Sequence, residues 1–512
     1  MGQRKRVPTG RKRRGKSGHL EAPGGLTESG NLQPDKGGPV KDPILQASSL
    51  GADKEPGLDE LLKGDAFSDI DGTIGKPGPG RTSKEDIRSR GPLAWLEVLG
   101  PGLITGASDD DPSGIGTYSQ VGSQFGFGML WLPLFTLPLM AAVQELCARI
   151  ALHTGVGLGI ALRRKFPSWL VGAAIAALFV ANTLNAGADI GAVATGGSML
   201  THSRISEIVL VIPVGLLIVG LQLFVSYQRI FLIFKWLTLA LFAYVITGLI
   251  AHPDAITVLK ATLIPHFELS KPFIVGLVAV LGTTISPYLF FWQASAEVDA
   301  MRSAGLTTEA SRRGVKRSEM QAARADILVG MIFSNLVAFF IILVTAAVLH
   351  AHGKTGVQSA AQAATALAPF LGSFSTIVFA VGLIGTGLLA IPILTASAAY
   401  AVKEFFGLGG ALAIKPIYRP TFYAIMVISV GVGTAMNFLG IDPIRALFYV
   451  AVINGLVAPP LLFLIALLGS DKSVMKDKTS GPFSLVLVWV AAGVMTLAAL
   501  TLLTTLIPGL RL

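Results

Sequence analysis

PGLITGASDDDPSGIGTYSQVG, residues 101–122, sets three consecutive aspartates directly before a proline in an otherwise apolar part of the chain. A segment that only has to cross hydrocarbon gains nothing from Asp109, Asp110 and Asp111, because a carboxylate at bilayer depth is costly unless paired, protonated or coordinated. Pro112 lacks a backbone N–H and clashes with a preceding helical turn. Gly114 and Gly116 tolerate dihedrals that other residues avoid. Together these residues predict a transmembrane helix broken at Asp111-Pro112-Ser113-Gly114, with a gap that binds a cation. Irregular backbone at membrane depth survives only where protein or a cavity satisfies it.

The rest of the chain supports a membrane setting. It has 512 residues, 52% hydrophobic and 14% charged, with a mean hydropathy of +0.64. Those values describe an all-α polytopic membrane protein whose main partner is the lipid bilayer. The formal charge of +10 does not imply nucleic acid, because Lys and Arg lie between apolar runs or in the N-terminal tail. The single cysteine, Cys147, excludes an intrachain disulfide and a cysteine-based metal site. Residues 1–90 are polar and poor in aromatics, and read as a disordered basic cytoplasmic tail. RKRRGK at 11–16 is read as part of that solvated tail, with contact to anionic lipid or nucleic acid as the lesser alternative. No apolar core follows it, so no signal peptide is expected. LAWLEVLG at 93–100 reads as an interfacial lead-in to a transporter domain covering 91–510.

Eleven spans are expected, at about 98–122, 128–150, 169–197, 206–223, 230–250, 271–300, 325–349, 372–400, 418–437, 445–469 and 483–508. Each is long enough for the hydrocarbon core at the helical rise. The basic residues test this order. One face collects Arg149, Arg163–Lys165, Arg229, Arg302, Arg312, Arg313, Lys316, Arg317, Arg324, Lys403, Lys415, Arg419, Lys472, Lys476 and Lys478. The other receives little beyond Arg204, Lys260, Lys271, Lys354 and Arg445. By the positive-inside rule the N-terminus is then cytoplasmic. The basic loop 301–324 reads as a solvated face.

A second break stands in the sixth span, where Gly282, Thr283, Thr284, Ser286 and Pro287 cluster halfway along. Breaks in spans one and six are the spacing of two five-helix inverted repeats (about 98–250 and 271–469) plus a peripheral eleventh helix. Interrupted spans at matching positions point to a transporter's central site. Asp111 is the first candidate ligand. Of Asp109 and Asp110, one reads as lining the access path and one as sitting closer to water, since three adjacent carboxylates cannot all stay charged and empty. Thr283 and Ser286 offer oxygen from the opposite break, and Tyr288 and Gln293 can donate around the pathway. Gln293 reads equally as a bridge between helices. In the third span Asn182, Asn185 and Asp189 share one helix face, as a proton relay or as helix–helix hydrogen bonding. Glu145 reads as a partner of Arg149. Asn454, beside Gly455 in the softened run AVINGLVAPP, is a weaker pathway candidate. The histidines form no ligand set.

These motifs resemble the Nramp family of divalent metal transporters, over about residues 96–510. GPGLITG at 100–106 resembles that family's approach to its first-helix Asp-Pro-Gly-Asn motif, for which this chain has Asp111-Pro112-Ser113-Gly114. The sixth-helix motif Ala-Thr-Ile-Met-Pro-His-Asn is here Thr283 through Leu289. The resemblance implies a LeuT-like fold, Asp111 as a metal ligand, backbone carbonyls from Ser108 and Thr283, and Asp189 on a proton path. It also exposes departures. The metal-binding asparagine is Gly114, the methionine is Ser286, the histidine after the proline is Tyr288, a third-helix glutamate is Ala192, and a tenth-helix glutamine is Val457. The pattern is similar to the Nramp-related magnesium transporters.

The expected function is import of a divalent cation, Mn²⁺ or Mg²⁺ with Fe²⁺ also admitted, by alternating access. Proton coupling is left open. Loss of the thioether favours harder ions, and lost side chains leave room for retained water. No cofactor is expected, and the unit is expected to be a monomer in a bacterial plasma membrane. The alternative is a sodium-coupled transporter of amino acids or another small organic solute, which the crowding of carboxylates in DDDPSG disfavours. An enzyme should show a nucleophile–base pair or a histidine-rich metal set, and neither pattern is present in the sequence.

Overall fold

The computed structural model describes residues 100–505, apart from 227–228, 231–233, 235, 238, 358, 409–418 and 477–478. The tail at 1–90, RKRRGK, all but Gly100 of the 93–100 patch, Lys415 and Lys478 lie outside the described residues. Among the described residues the fold is all α and short 3₁₀ turns. Among the described residues nine helical segments, the interrupted sixth span counted as one, are long and apolar enough to cross a membrane. The two remaining expected spans are the broken first one and the fifth, described mainly through its Phe242–Ile250 end.

The first span is two helices, α1 (Pro101–Asp109) and α2 (Pro112–Phe125), parted at Asp110 and Asp111. Then come α3 (Leu132–Thr154), a short α4 (Leu158–Lys165), α5 (Ser168–Leu200), α6 (Glu207–Phe224) and α7 (Phe242–Ile250). A short α8 (Ala255–Leu263) with no buried residue precedes the sixth span. That span divides into α9 (Lys271–Thr284) and α10 (Pro287–Ser303). The chain continues through α11 (Arg317–Val348), α12 (Ser375–Phe406), α13 (Pro420–Met436), α14 (Pro443–Ser470) and α15 (Pro482–Thr505). In both broken spans the new helix starts with proline at its first position, where the missing N–H is an orphan anyway. The breaks fall where the sequence puts them, and the spans overlap those expected. The main shift is α11, which starts at Arg317 rather than 325, with Glu319 accepting from the Lys316 amide at 2.9 Å.

Small residues let the broken helices sit backbone to backbone on their neighbours. α1 lies on α11. A Cβ at Gly106 would fall 2.3 Å from the Gly330 carbonyl, and one at Gly330 would fall 2.4 Å from Gly102 O. On the other break α9 lies on α14, where a Cβ at Gly282 would meet Ala451 O at 2.1 Å and one at Gly455 would meet Val278 O at 2.5 Å. α5 and α12 pack along each other and complete the wall around the breaks.

Basic loops that the sequence assigns to one face do meet at one end. Arg164 forms a two-pronged pair with Glu309 (2.7 and 2.9 Å), Lys165 pairs with Asp471, and Arg163 donates to Phe405 O. Arg164 and Arg313 hold the Glu309 carboxyl down at about 2. The 301–324 loop is less solvated than expected. Arg312 is buried and donates to Gly155 O at 2.9 Å, Leu306 O at 3.1 Å and Thr307 O at 2.6 Å. Three carbonyls replace the water that a buried guanidinium gives up. Glu145 likewise does more than pair with Arg149. It also accepts from Arg324 at 2.9 Å, Ser484 at 3.1 Å and Ser480 at 3.3 Å, which ties α15 to α3 and α11.

Candidate cation site between the broken helices

The site grows out of two missing amides. In a helix the carbonyl of residue i accepts from the N–H of residue i+4. The donor due to Ser108 would be Pro112, and the donor due to Thr283 would be Pro287, so both carbonyls lose their helical partner. Hydroxyls take over. Tyr288 donates to Ser108 O at 2.8 Å, joining one break to the other, and Ser286 donates to Thr283 O at 2.6 Å. The Ser286 hydroxyl also lies 3.1 Å from Gly282 O, so it is turned onto its own helix. Ser397 of α12 donates to Tyr288 O at 2.6 Å and fixes that residue from behind.

Asp111 is the N-cap of α2. Its Oδ1 accepts from the Gly114 amide at 2.8 Å and from Ser113 Oγ at 2.6 Å. Such a cap satisfies an orphan donor and places negative charge at the positive end of the helix. Its Oδ2 accepts from Asn185 Nδ2 at 2.9 Å, which brings α5 into the site. The polar stripe in α5 therefore splits. Asn185 reaches Asp111, Asn182 donates to Leu394 O at 3.2 Å, and neither carboxylate oxygen of Asp189 makes a hydrogen bond. Asp111, the Ser113 amide and Tyr288 face Asp189. Thr283 Oγ1 lies 3.4 Å from Ser113 Oγ, so the two breaks meet there as well.

Asp109 and Asp110 are buried with Asp111, all three 1–3% exposed. Ser334 of α11 sits 2.7 Å from Asp109 Oδ2 and 3.2 Å from Asp110 Oδ1. Nothing in the sequence marked Ser334, which is one serine in a long apolar helix. Oxygens left over around the breaks are Asp109 Oδ1, Asp110 Oδ2, both oxygens of Asp189 and Asn185 Oδ1. Buried polar atoms are nearly always paired, so this concentration of acceptors without donors makes the region between the breaks a candidate cation site. Gly114 packs closely beside them. A Cβ there would lie 3.5 Å from Asp109 O and 3.5 Å from Thr283 Oγ1, with only Tyr118 closer at 3.3 Å. Among the described residues no three His, Cys, Asp or Glu side chains converge as a ligand set. A cation here would rest on a carboxylate and neutral oxygens.

Two expected residues lie off this centre. Gln293 bridges helices: its Oε1 lies 2.5 Å from Thr105 Oγ1 of α1, and its Nε2 donates to Glu297 at 3.0 Å. Asn454 is buried in α14 with neither amide atom bonded, and no hydrogen bond joins it to the aspartates.

A profile of the family described as "Natural resistance-associated macrophage protein-like", Nramp, matches residues 102–505. The chain belongs to the Nramp family. Among curated Nramp-type proteins it is similar to the divalent metal cation transporter MntH of Caldanaerobacter subterraneus subsp. tengcongensis. Identity is 26% over 424 residues, covering 80% of this chain and 94% of that protein. The MntH of Erwinia tasmaniensis is 24% identical over 369 residues, covering 68% and 82%. In fold the chain is similar to a crystal structure of a mutant of the Eremococcus coleocola manganese transporter, with a TM-score of 0.63 at 17% identity, covering 86% of this chain and 91% of that one. The likeness is one of fold, and it agrees with the fold that the resemblance implied. Within it, this Nramp chain has hydroxyls at 286 and 288 and no side chain at Gly114.

Proposed function

We propose that this chain is a secondary transporter that imports divalent metal cations by alternating access, binding them at Asp111 between the two broken helices. The observation that carries the reading is the set of buried acceptors without donors around Asp111. The bacterial relatives named as divalent metal cation transporters support the substrate class. Asp111 is the direct ligand, and the oxygens of Ser108, Thr283 and Ser286 contribute directly or through water. With carboxylate, carbonyl and hydroxyl oxygens and no thioether, the site suits Mn²⁺ and Mg²⁺. Asp109 and Asp110 line the approach. Asp189, with both oxygens unbonded, is the group that would carry a coupled proton. The protein works as a monomer in a bacterial plasma membrane with its N-terminus in the cytoplasm. An organic-solute carrier would place a carboxylate of its cargo at the helix ends, where Asp111 already caps α2.

Metal binding to the detergent-purified full chain, with Asp111→Ala as control, tests the reading. Mn²⁺ or Mg²⁺ should bind the parent and be lost in the variant. Undiminished binding to Asp111→Ala would remove the central assignment.

A further inference from the structure

Helix α8 (Ala255–Leu263) joins the fifth span to the sixth at the membrane surface away from the basic loops, and none of its residues is buried. So short a helix is marginal in water on its own. Asp254 caps its start, accepting from the Thr257 amide at 2.8 Å. Val258 and Ala261 lean on the protein core. On the opposite face Ile256, Leu259 and Leu263, spaced as i, i+3 and i+7, are 64%, 58% and 54% exposed. The chain then carries exposed Ile264, Phe267 and Leu269 to the start of α9. A contiguous apolar patch on a folded surface marks an interaction site. We infer that α8 lies flat in the lipid headgroup region at this surface, with its Ile256, Leu259 and Leu263 face sunk into the boundary of the acyl chains.

What covers the face follows from what it adjoins. Leu249 and Ile250, which end α7, are exposed on the fifth span. The apolar surface of α8 therefore continues one that the bilayer already covers. Polar groups keep to the other side. Thr257 lies across the helix from Leu259, and its hydroxyl donates to Asp254 at 2.6 Å. Lys260 flanks it, where the stem can run along apolar surface while the ammonium reaches a lipid phosphate. Thr262, nearer the apolar face, turns its hydroxyl onto Val258 O at 2.7 Å and needs no water. A helix of this kind lies in the interface plane, its apolar side about 5–10 Å into the headgroup–acyl boundary. The segment that follows it rests on both broken spans. Phe267 packs on Trp131 with 5.0 Å between ring centroids, just past the turn Gly126–Met129 that ends α2. A Cβ at Gly128 in that turn would lie 3.5 Å from His266. Ser270 caps α9, accepting from the Phe273 amide at 3.4 Å. The interfacial helix thus sets the depth at which these ends of α2 and α9 meet the bilayer.

The test uses the full chain in phosphatidylcholine vesicles, with a nitroxide label on Leu259→Cys, Leu263→Cys or Thr257→Cys. The native Cys147 is buried and adds little background. Power-saturation EPR compares collisions with oxygen, which concentrates in lipid, and with a water-soluble chromium chelate. At 259 and 263 oxygen should be the stronger relaxant, and at 257 the order should reverse. Two sites on the apolar face guard against a label that unseats the helix. If labels at 259 and 263 meet the chelate as readily as the label at 257, the helix stands in water and the inference is overturned. If both are shielded from oxygen and chelate alike, protein covers the face, as a second copy or another partner would, and the inference is overturned as well.

Discussion

Gly106→Ala should open the site toward the end where the basic loops meet. The substitution adds one methyl group to α1, where a Cβ would lie 2.3 Å from both Gly330 C and Gly330 O. Those atoms are backbone of α11 and cannot rotate away. Ordinary contact begins near 3.4 Å, so the two helices must part by roughly 1 Å. Overpacking of this kind costs about 1–3 kcal/mol, which shifts a two-state equilibrium about 5-fold to 150-fold. The local effect has the opposite sign, since alanine in a helix is better than glycine by about 1 kcal/mol. Any loss therefore reports on the α1–α11 contact and not on helix α1 itself. A cysteine at Ser108, buried just before the break, serves as reporter. The native Cys147 is buried and adds little background. In inside-out vesicles an impermeant maleimide should label Ser108→Cys/Gly106→Ala faster than Ser108→Cys alone, within that range. Equal rates would refute the idea that the close glycine contact keeps α1 shut.

Ser334→Ala should destabilise the protein by about 1–3 kcal/mol, because it removes the one hydroxyl that Asp109 and Asp110 share and leaves buried carboxylate oxygens bare. An unchanged thermal midpoint in detergent would show that the two carboxylates do not depend on it. Glu309 sets an acid-side effect at the loop end. Its folded carboxyl sits at about 2, below the ordinary 4.5, so its stabilisation is complete above about 4.5 and is lost as pH falls through about 2. Glu309→Gln should therefore flatten the fall of the unfolding midpoint between pH 5 and 2. The effect should be small, as the pair is partly exposed and screened by salt. Parallel curves for parent and variant would rule the pair out as a contributor.

The two breaks could be read from Pro112 and Pro287 because proline acts on its own chain at a fixed distance, four residues back. Which hydroxyls would repair the damage could not. Tyr288 reaches Ser108 across 180 residues of sequence, and that pairing exists only once α10 lies beside α1. The face shared by Asn182, Asn185 and Asp189 was visible as a period. The rotation that points Asn185 at Asp111 depends on how α5 packs on α12 and α14. Ser334 carried no signal at all, since a serine in an apolar helix usually bonds its own backbone. Arg312 was misread because a basic loop looks solvated until Gly155 O and its neighbours close over it.

The oxygens of Ser108 and Thr283 belong to the backbone, so no codon change at those positions can delete them. Only the prolines that strip away their amides, and the side chains that cap them, are open to mutation. A descendant of this chain could therefore lose either hydroxyl by a single exchange at 286 or 288, while the pair of acceptors itself passes on unaltered. The hydroxyls are replaceable parts, and the acceptors they cover lie in the part of the polypeptide that every residue has in common.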